Sequence, residues 1–240
     1  MPLFSTILTS FNRADMLKNA VKSVKLQTFS DWQLIIGDSS TLQEQRDAIK
    51  EYGEALEKED PRIIFRQYRA WTEEERARKV EYATKINKLY KLATGDWVTH
   101  LNDDDLYHVT YYQAYKDVMD AIPEAKVIYT GQYAVSPDGK LQYALPAKDI
   151  KRSMFFCVDQ NCVAHKREIF DEVGGWCTEP YVSTYADAEF WWRISEAGYL
   201  AYATGKVTSI KMIHQGQISS GAEIPYDERA IKETLKAGVL

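Results

Sequence analysis

The first hundred residues alternate short apolar runs with amphipathic stretches, and the fourth run stops at three consecutive carboxylates, Asp103, Asp104 and Asp105. The runs predict strands over Leu3 to Thr9, Trp32 to Gly37, Arg62 to Phe65 and Asp96 to Leu101. Between them, Leu17, Ala20, Val21 and Val24 recur at helical spacing, and Leu42 to Leu56 reads as a charged helix. Glu73 to Leu92 reads as one long helix with Val80, Ala83, Ile86, Asn87 and Tyr90 along a stripe. A strand–helix alternation of this kind folds into a mainly parallel, Rossmann-like sheet with helices on both faces. Right-handed crossovers then bring the carboxyl ends of the strands to one rim, where ligands bind in such sheets.

The acid triplet lies at that rim. Adjacent carboxylates repel by roughly 1 kcal/mol per pair at ~4 Å even in bulk water. Their clustering is therefore explained most economically by a cation. Oxygen ligands suit Mg²⁺ or Mn²⁺, ions that commonly arrive with substrate phosphates. The competing explanation is that Asp103 or Asp104 caps a helix starting near Val109. Two further strand ends supply polar turns, Thr9-Ser10-Phe11-Asn12-Arg13 and Gly37-Asp38-Ser39-Ser40. Thr9, Phe11 and Asp38 are placed to meet a base and ribose, although Asp38 also suits an Asx-turn. The bases Arg62, Arg66, Arg69, Arg76, Arg78 and Lys79 are interleaved with Glu73, Glu74, Glu75 and Glu81, as on a solvated helix face.

After Ala121 the pattern changes. Lys126 to Val135 and Leu141 to Leu145 flank the turn Ser136-Pro137-Asp138-Gly139 and read as a hairpin, so part of the sheet should be antiparallel. Cys157 to His165 reads as a strand, followed by a short helix to Val173 and a break at Gly174-Gly175. Ala186 to Ala197 reads as a helix burying Phe190, Trp191, Ile194 and Ala197. Tyr199 to Ala203 and Val207 to Ile213 read as two strands, and Pro225 to Leu235 as a closing helix. The whole, residues 1–240, is expected to be one domain: 1–105 binding a nucleotide and 106–240 supplying the acceptor and catalytic half.

A net charge of −5 argues against a protein dominated by nucleic-acid backbone binding. Three cysteines with no CxxC pair argue against a disulfide framework and for a reducing cytoplasm. No leader is expected, because Met1-Pro2 runs straight into a strand-like segment, and no apolar run nears the ~18 residues of a membrane span. Any membrane contact is therefore expected to be peripheral. No feature of the sequence specifies an oligomer.

Several motifs, in order, resemble those of family 2 glycosyltransferases. These are Ser5-Thr6-Ile7-Leu8-Thr9-Ser10-Phe11-Asn12-Arg13, then Ser23-Val24 through Gln27-Thr28-Phe29, and Trp32 through Asp38. Ala93-Thr94-Gly95-Asp96-Trp97-Val98 leading to Asn102-Asp103-Asp104-Asp105 resembles the family's acidic metal motif. Val173-Gly174-Gly175-Trp176 and Asp187 through Arg193 resemble its later landmarks. The resemblance implies the GT-A fold, a UDP- or TDP-linked sugar donor, and inverting transfer to a carbohydrate or other hydroxyl acceptor. A modified nucleobase also remains open as acceptor.

By position, the resemblance implies that Thr9, Phe11 and Asp38 contact the nucleoside and that Arg76 lies near the base or diphosphate. Asp103 would approach the ribose, and Asp104 and Asp105 would ligate Mn²⁺ or Mg²⁺. Asp187 corresponds to the general base, and the late His214 matches a further metal ligand found in many GT-A enzymes. Trp176 and Trp192 are candidate sugar-stacking rings. Asp187 could also cap its helix. Two departures stand out: the family often has two acids and a glycine where this chain has Gly37-Asp38-Ser39, and an acid where it has Ala186. A nucleotidyltransferase usually has a glycine-rich loop after the first strand, which is absent here. A non-catalytic nucleotide- or sugar-binding module would not need both Asp104 and Asp187.

Overall fold

The computed structural model describes residues 1–136, 138–147 and 158–214. Strands β1 (Phe4–Ser10), β2 (Trp32–Asp38), β3 (Ile63–Gln67) and β4 (Trp97–Asn102) alternate with helices α1 (Ala14–Lys25), α2 (Gln43–Glu59), α3 (Glu73–Arg78) and α4 (Glu81–Tyr90). The four strands run parallel in the order β3-β2-β1-β4. Then follow β5 (Asp105–Tyr107), α5 (Tyr111–Ala121), the hairpin β6 (Val127–Val135) and β7 (Leu141–Leu145), and β8 (Val163–Lys166). Helices α6 (Arg167–Val173) and α7 (Ala186–Glu196) and the strand β9 (Ala201–Met212) complete the described chain.

The sheet continues β4-β8-β6-β9-β5. β8 is antiparallel to β4 and β6, β5 to β9 and β7 to β6, while β9 runs parallel to β6. Six of the nine strands thus share one direction, the mixed, mostly parallel sheet expected from the sequence. The predicted helix after Pro225 lies outside the described residues. Among those described, no helix is long and apolar enough to cross a membrane.

The two-residue period of the strands sorts the core into two layers. Phe4 and Leu8 of β1 and Trp32, Leu34 and Ile36 of β2 face α1, α2 and α5. Ile7 and Ile35, one residue out of phase, join Val80, Ala83, Ile86 and Leu89 with Phe190, Trp191 and Ile194 on the opposite face. Gly95 brings the turn before β4 against β1. Its N–H donates to Ser5 Oγ at 2.9 Å, and a Cβ there would lie 2.8 Å from the Phe4 and Ser5 backbone.

The strand expected over Cys157 to His165 is, among the described residues, only β8, preceded by a 3-10 turn at Gln160–Cys162, and four further details differ from the sequence reading. The long helix predicted over Glu73 to Leu92 is broken, because Lys79 and Val80 are extended. The Val80 N–H donates to Thr178 O at 2.8 Å, and Val80 itself is buried. The apolar stripe belongs to α4 alone. α3 has no buried residue and is held by a Thr72/Glu75 capping box. Secondly, β5 was not expected: the last acid of the triplet begins a strand. Thirdly, the two predicted late strands are one, with a bulge where Ala203 and Val207 oppose Tyr129 and Gly131 and Gly205 takes φ 68°. Fourthly, Ala197 is exposed just past the end of α7.

Beneath the sheet, His100 and His165 stack at 5.8 Å between ring centroids, within reach of Trp176 and Trp191. Both are buried, and burial pushes both imidazoles down, His165 to about 4. Above pH ~6.5 His165 is neutral in folded and unfolded chains alike. Below that, only the unfolded chain takes up the proton until the folded value is reached. Stability is therefore complete above pH ~6.5 and falls toward pH 4, by about 3 kcal/mol for this residue. Urea denaturation between pH 7 and pH 4 should show a shallower decline in His165→Leu than in the parent, by about one proton. Equal slopes would mean that His165 does not carry the effect.

Candidate active site

The carboxyl ends of β1, β2 and β4 align at one rim, with Ser10 opposite Asp38 and Thr9 opposite both Gly37 and Asn102. Beyond β1 the chain turns at Asn12, which takes φ 56°, a left-handed conformation that asparagine tolerates. Its side-chain oxygen accepts from the Thr41 and Leu42 N–H groups at 2.9 and 3.0 Å, and its own N–H donates to Ser40 Oγ at 2.7 Å. The turn after β1 is thereby tied to the turn after β2, and Phe11 is left partly exposed at the rim.

Asp38 is fully buried. Its Oδ1 accepts from the Ser40 N–H at 3.1 Å and the Ser40 hydroxyl at 2.5 Å, and Oδ2 accepts from Gln67 Nε2 at 3.1 Å. This is the Asx-turn alternative realised, and it makes Asp38 the anchor of the β2 turn. Thr9 is only partly buried.

Asp103 and Asp104 share one cation. Asp103 Oδ2 accepts from Ser10 Oγ at 3.0 Å and the Phe11 N–H at 2.8 Å. Arg13 Nη1 donates to Asp103 Oδ1 at 3.1 Å and to Asp104 Oδ2 at 2.8 Å. Burial, reinforced by the neighbouring charge of Asp104, pushes the Asp103 carboxyl up to about 6. Burial disfavours the Arg13 charge, but Asp104 and Asp103 more than offset this, and its pKa is raised. His214 closes the group from the far end of β9, its Nε2 3.0 Å from Asp104 Oδ2. Neither Asp103 nor Asp104 caps α5, whose N-cap is Thr110.

Asp105 points elsewhere. Its Oδ1 accepts from the Met212 N–H at 3.0 Å, and Oδ2 from Asn161 Nδ2 at 2.6 Å and Asn102 Nδ2 at 3.3 Å. Burial first, then Asp104 and Asp159, raises its pKa well above the usual carboxylate range. The carboxylate thus joins β5, β9 and the turn before β8 from within. Among the described residues, no group of three or more His, Cys, Asp and Glu side chains is arranged to hold a metal by itself.

Arg76 reaches the rim from α3, its Cζ 5.2 Å from the centre of the Phe11 ring. Its Nε donates to Glu81 Oε2 at 2.7 Å, while Arg76 Nη2 and Glu81 Oε1 are buried with no partner among the described residues. An unsatisfied buried polar group costs about 1–3 kcal/mol, so a bound ligand offering partners here would gain from both. The other arginines of the cluster pair as on a solvated face: Arg62 with Asp60, Arg66 with Glu57, Arg69 with Glu75, Arg78 with Glu74.

Two residues of the site carry no role in the sequence reading. Arg13 is one. The other is Lys85, whose buried Nζ donates to Ser10 O and Ser39 Oγ, each at 2.7 Å, locking the ends of β1 and β2 together. Burial lowers its pKa to about 8, while Asp103, Asp38 and Glu81 act to raise it.

Asp187 lies in the first turn of α7, partly accessible to solvent. The N-cap is Tyr185 rather than Asp187, whose Oδ1 accepts from the Ala188 N–H at 2.9 Å. Burial, then the charge of Asp159, pushes its carboxyl up to about 6, with Lys211 opposing. Tyr82 of α4 stands beside it: the Tyr82 hydroxyl accepts from the Ala186 N–H at 3.3 Å, and its pKa is raised by burial and by Asp187. Trp191 is core. Trp176 is core as well, packed among His100, Phe190 and Tyr82, and does not offer a sugar-stacking face. Trp192 remains exposed.

The mixed sheet, with acids and polar turns gathered at the carboxyl rim of its parallel part, is the GT-A architecture. The model of glycosyl transferase family 2 matches residues 5–174, and the chain belongs to that family. It is similar to protein CgeD of Bacillus subtilis, 28% identical over 200 residues that cover 80% of this chain and 46% of CgeD. The chain thus spans under half the length of that relative. Among solved structures it resembles S. aureus TarS 1-349 in complex with UDP-GlcNAc, with TM-score 0.68 and 14% identity over 93% of this chain and 62% of that one. It also resembles the mannosyltransferase PcManGT from Pyrobaculum calidifontis in complex with GDP-Man and Mn²⁺, with TM-score 0.63 and 15% identity over 99% and 69%.

Proposed function

We propose that the chain is a metal-dependent, inverting glycosyltransferase that moves a sugar from a UDP- or TDP-linked donor to an acceptor hydroxyl, with Asp187 as general base. It acts in the cytoplasm, with any membrane contact peripheral. Residues 1–105 bind the donor and the remainder builds the acceptor side. The observation that carries this reading is the meeting of Asp104 and His214 at 3.0 Å, 110 positions apart in the sequence, beside Asp103 and Arg13.

That donor set fits a divalent cation. The carboxylate suits Mn²⁺ or Mg²⁺ and the imidazole favours Mn²⁺ of the two, with diphosphate oxygens available as further ligands. Asp104 and His214 would hold the ion, with Asp105 behind them. A divalent ion bound there stabilises the charge that develops on the departing nucleoside diphosphate. Phe11 and Arg76 flank the base, Thr9 and Asp103 approach the ribose, and Asp38 fixes the turn that the nucleoside meets. Asp187 takes the acceptor proton as the hydroxyl oxygen attacks the anomeric carbon opposite the leaving group. No covalent sugar–enzyme intermediate is needed, so one carboxylate base suffices. The UDP-GlcNAc and GDP-Man complexes of the two structural neighbours support a nucleotide-sugar donor, and the Mn²⁺ of the second supports a divalent ion.

Thermal shift with UDP, TDP, GDP, ADP and CDP, each with Mn²⁺, Mg²⁺ or EDTA, tests the donor class. A ligand that binds only the folded chain adds about 2.7 kcal/mol at a hundredfold excess over Kd. UDP or TDP should raise Tm with metal and lose most of that effect in EDTA. No shift with any of the five nucleotides would sink the proposal.

A further inference from the structure

We propose a second binding site, on the far side of α3 from Arg76, that takes a sugar unit carrying a negative charge. A cavity of about 320 Å³ opens there between α3, α4 and the segment after β3. Tyr68 and Trp71 supply its aromatic lining, both partly exposed. Arg69, Arg78, Lys79 and Lys88 supply four positive charges, against the single carboxylate of Glu75.

The charges are not equivalent. Arg69 is paired with Glu75, and Arg78 with Glu74. Neither Lys79 nor Lys88 has a carboxylate partner among the described residues. Lys88 Nζ lies 5.2 Å from the centre of the Tyr68 ring. Two uncompensated ammonium groups beside two aromatic rings offer an anion its charge partner and a sugar ring its apolar C–H face. The cavity is at the small end of ligand pockets, suited to a sugar unit rather than a whole nucleotide sugar. Its concavity also disfavours a membrane surface, which an exposed amphipathic face would fit better.

The site is separate from the donor site but joined to it by rigid elements. Glu75 and Arg78, three residues apart on one face of α3, line the cavity together with Lys79 just past the helix end, whereas Arg76 lies off that face and reaches Phe11. The Tyr68 N–H donates to Asp38 O at 2.8 Å, so the cavity wall and the β2 turn are one unit. At its other end α3 passes into Val80, bonded to Thr178, and then into Tyr82 beside Ala186. A uronate or phosphorylated unit of a long acceptor would be gripped here while another part of the same polymer reaches Asp187. Binding at this site needs neither donor nor transfer, so it stands apart from the proposed reaction.

The test uses isothermal titration of the full chain with tetragalacturonate, a glycerol phosphate oligomer, neutral maltotetraose, and vesicles containing phosphatidylglycerol. At least one of the two anionic oligomers should bind, and which one does identifies uronate or phosphate as the source of charge. Maltotetraose should bind at least roughly tenfold more weakly, as should the anionic oligomer to Trp71→Ala or to Lys88→Gln, a surface change on α4 that leaves the core untouched. UDP affinity should be the same in Lys88→Gln as in the parent. No binding of either anionic oligomer, binding unchanged in both variants, or binding to vesicles alone would overturn the site. If UDP fails to bind but the oligomer does, the donor reading fails and this site stands.

Discussion

Asp187→Asn should cut the rate of sugar transfer by roughly 10²–10⁴-fold, the range that a positioned general base contributes, while metal-dependent nucleotide binding persists. The change is nearly isosteric, and an amide can still accept from the Ala188 N–H that now meets Asp187 Oδ1 at 2.9 Å. α7 is held mainly by Phe190, Trp191 and Ile194, all buried, so the fold should survive. What disappears is the site that takes the acceptor proton. The raised carboxyl, about 6, sets the pH dependence. The base works only when ionised, so activity should rise as pH increases through about 6 and level off above it. Desolvation is the larger cause of that value and the charge of Asp159 the next. A neutralising change at Asp159 should therefore move the limb to lower pH without removing it. Steady-state rates from pH 5 to 8 check both statements. Transfer by Asp187→Asn at the parental rate, with the same acid limb, would remove Asp187 from the chemistry.

The parallel half of the sheet was legible because its strands are buried on both faces and read as continuous apolar runs, ending where Asp38 and Asp103 begin the polar rim. The break between α3 and α4 was not. Residues 73–79 are good helix formers, and only the bond from Val80 to Thr178, nearly a hundred positions away, makes the extended link favourable. β5 has three residues and starts with a carboxylate, so no periodicity marks it. In the site, Phe11 lies beside Arg76 and Asp104 beside His214, meetings that only the fold brings about. Arg13 stands in the polar turn after β1, but its pairing with two acids of the triplet was not legible there, and Lys85 gave no signal. A lysine on a predicted helix is ordinarily solvated, and only the fold carries its ammonium beneath Ser10 and Ser39. Trp176 shows the reverse: a tryptophan after a glycine pair invites a surface role, yet the turn at Gly175 folds it into the core. The Trp176 N–H and O are both held by Asn87, each at 2.9 Å.

The second large effect is expected at Asp104. In Asp104→Ala the metal-dependent stabilisation by UDP or TDP should vanish, while the unliganded chain changes by no more than about 1 kcal/mol. The contrast follows from opposing terms. Removing Asp104 breaks its bond with Arg13 at 2.8 Å and with His214 at 3.0 Å. It also removes a like charge beside Asp103, the second cause of that carboxyl's raised pKa after burial. Arg13 keeps Asp103 as partner at 3.1 Å, so no buried charge is left alone. The loss of a partly exposed pair is worth ~0–1 kcal/mol, of the same order as the repulsion relieved. Ligand binding has no such compensation. Without Asp104, His214 alone remains at the place where the ion and the diphosphate would meet, and a single imidazole holds Mn²⁺ or Mg²⁺ poorly. The hundredfold-excess shift of about 2.7 kcal/mol should fall to the level seen with EDTA. His214→Ala should lose part of the shift and keep the preference for metal. Retention of the full metal-dependent shift in Asp104→Ala would place the ion elsewhere in the fold. Loss of the shift together with a large fall in the stability of the free chain would mean instead that Asp104 serves the β4–β9 junction more than the donor.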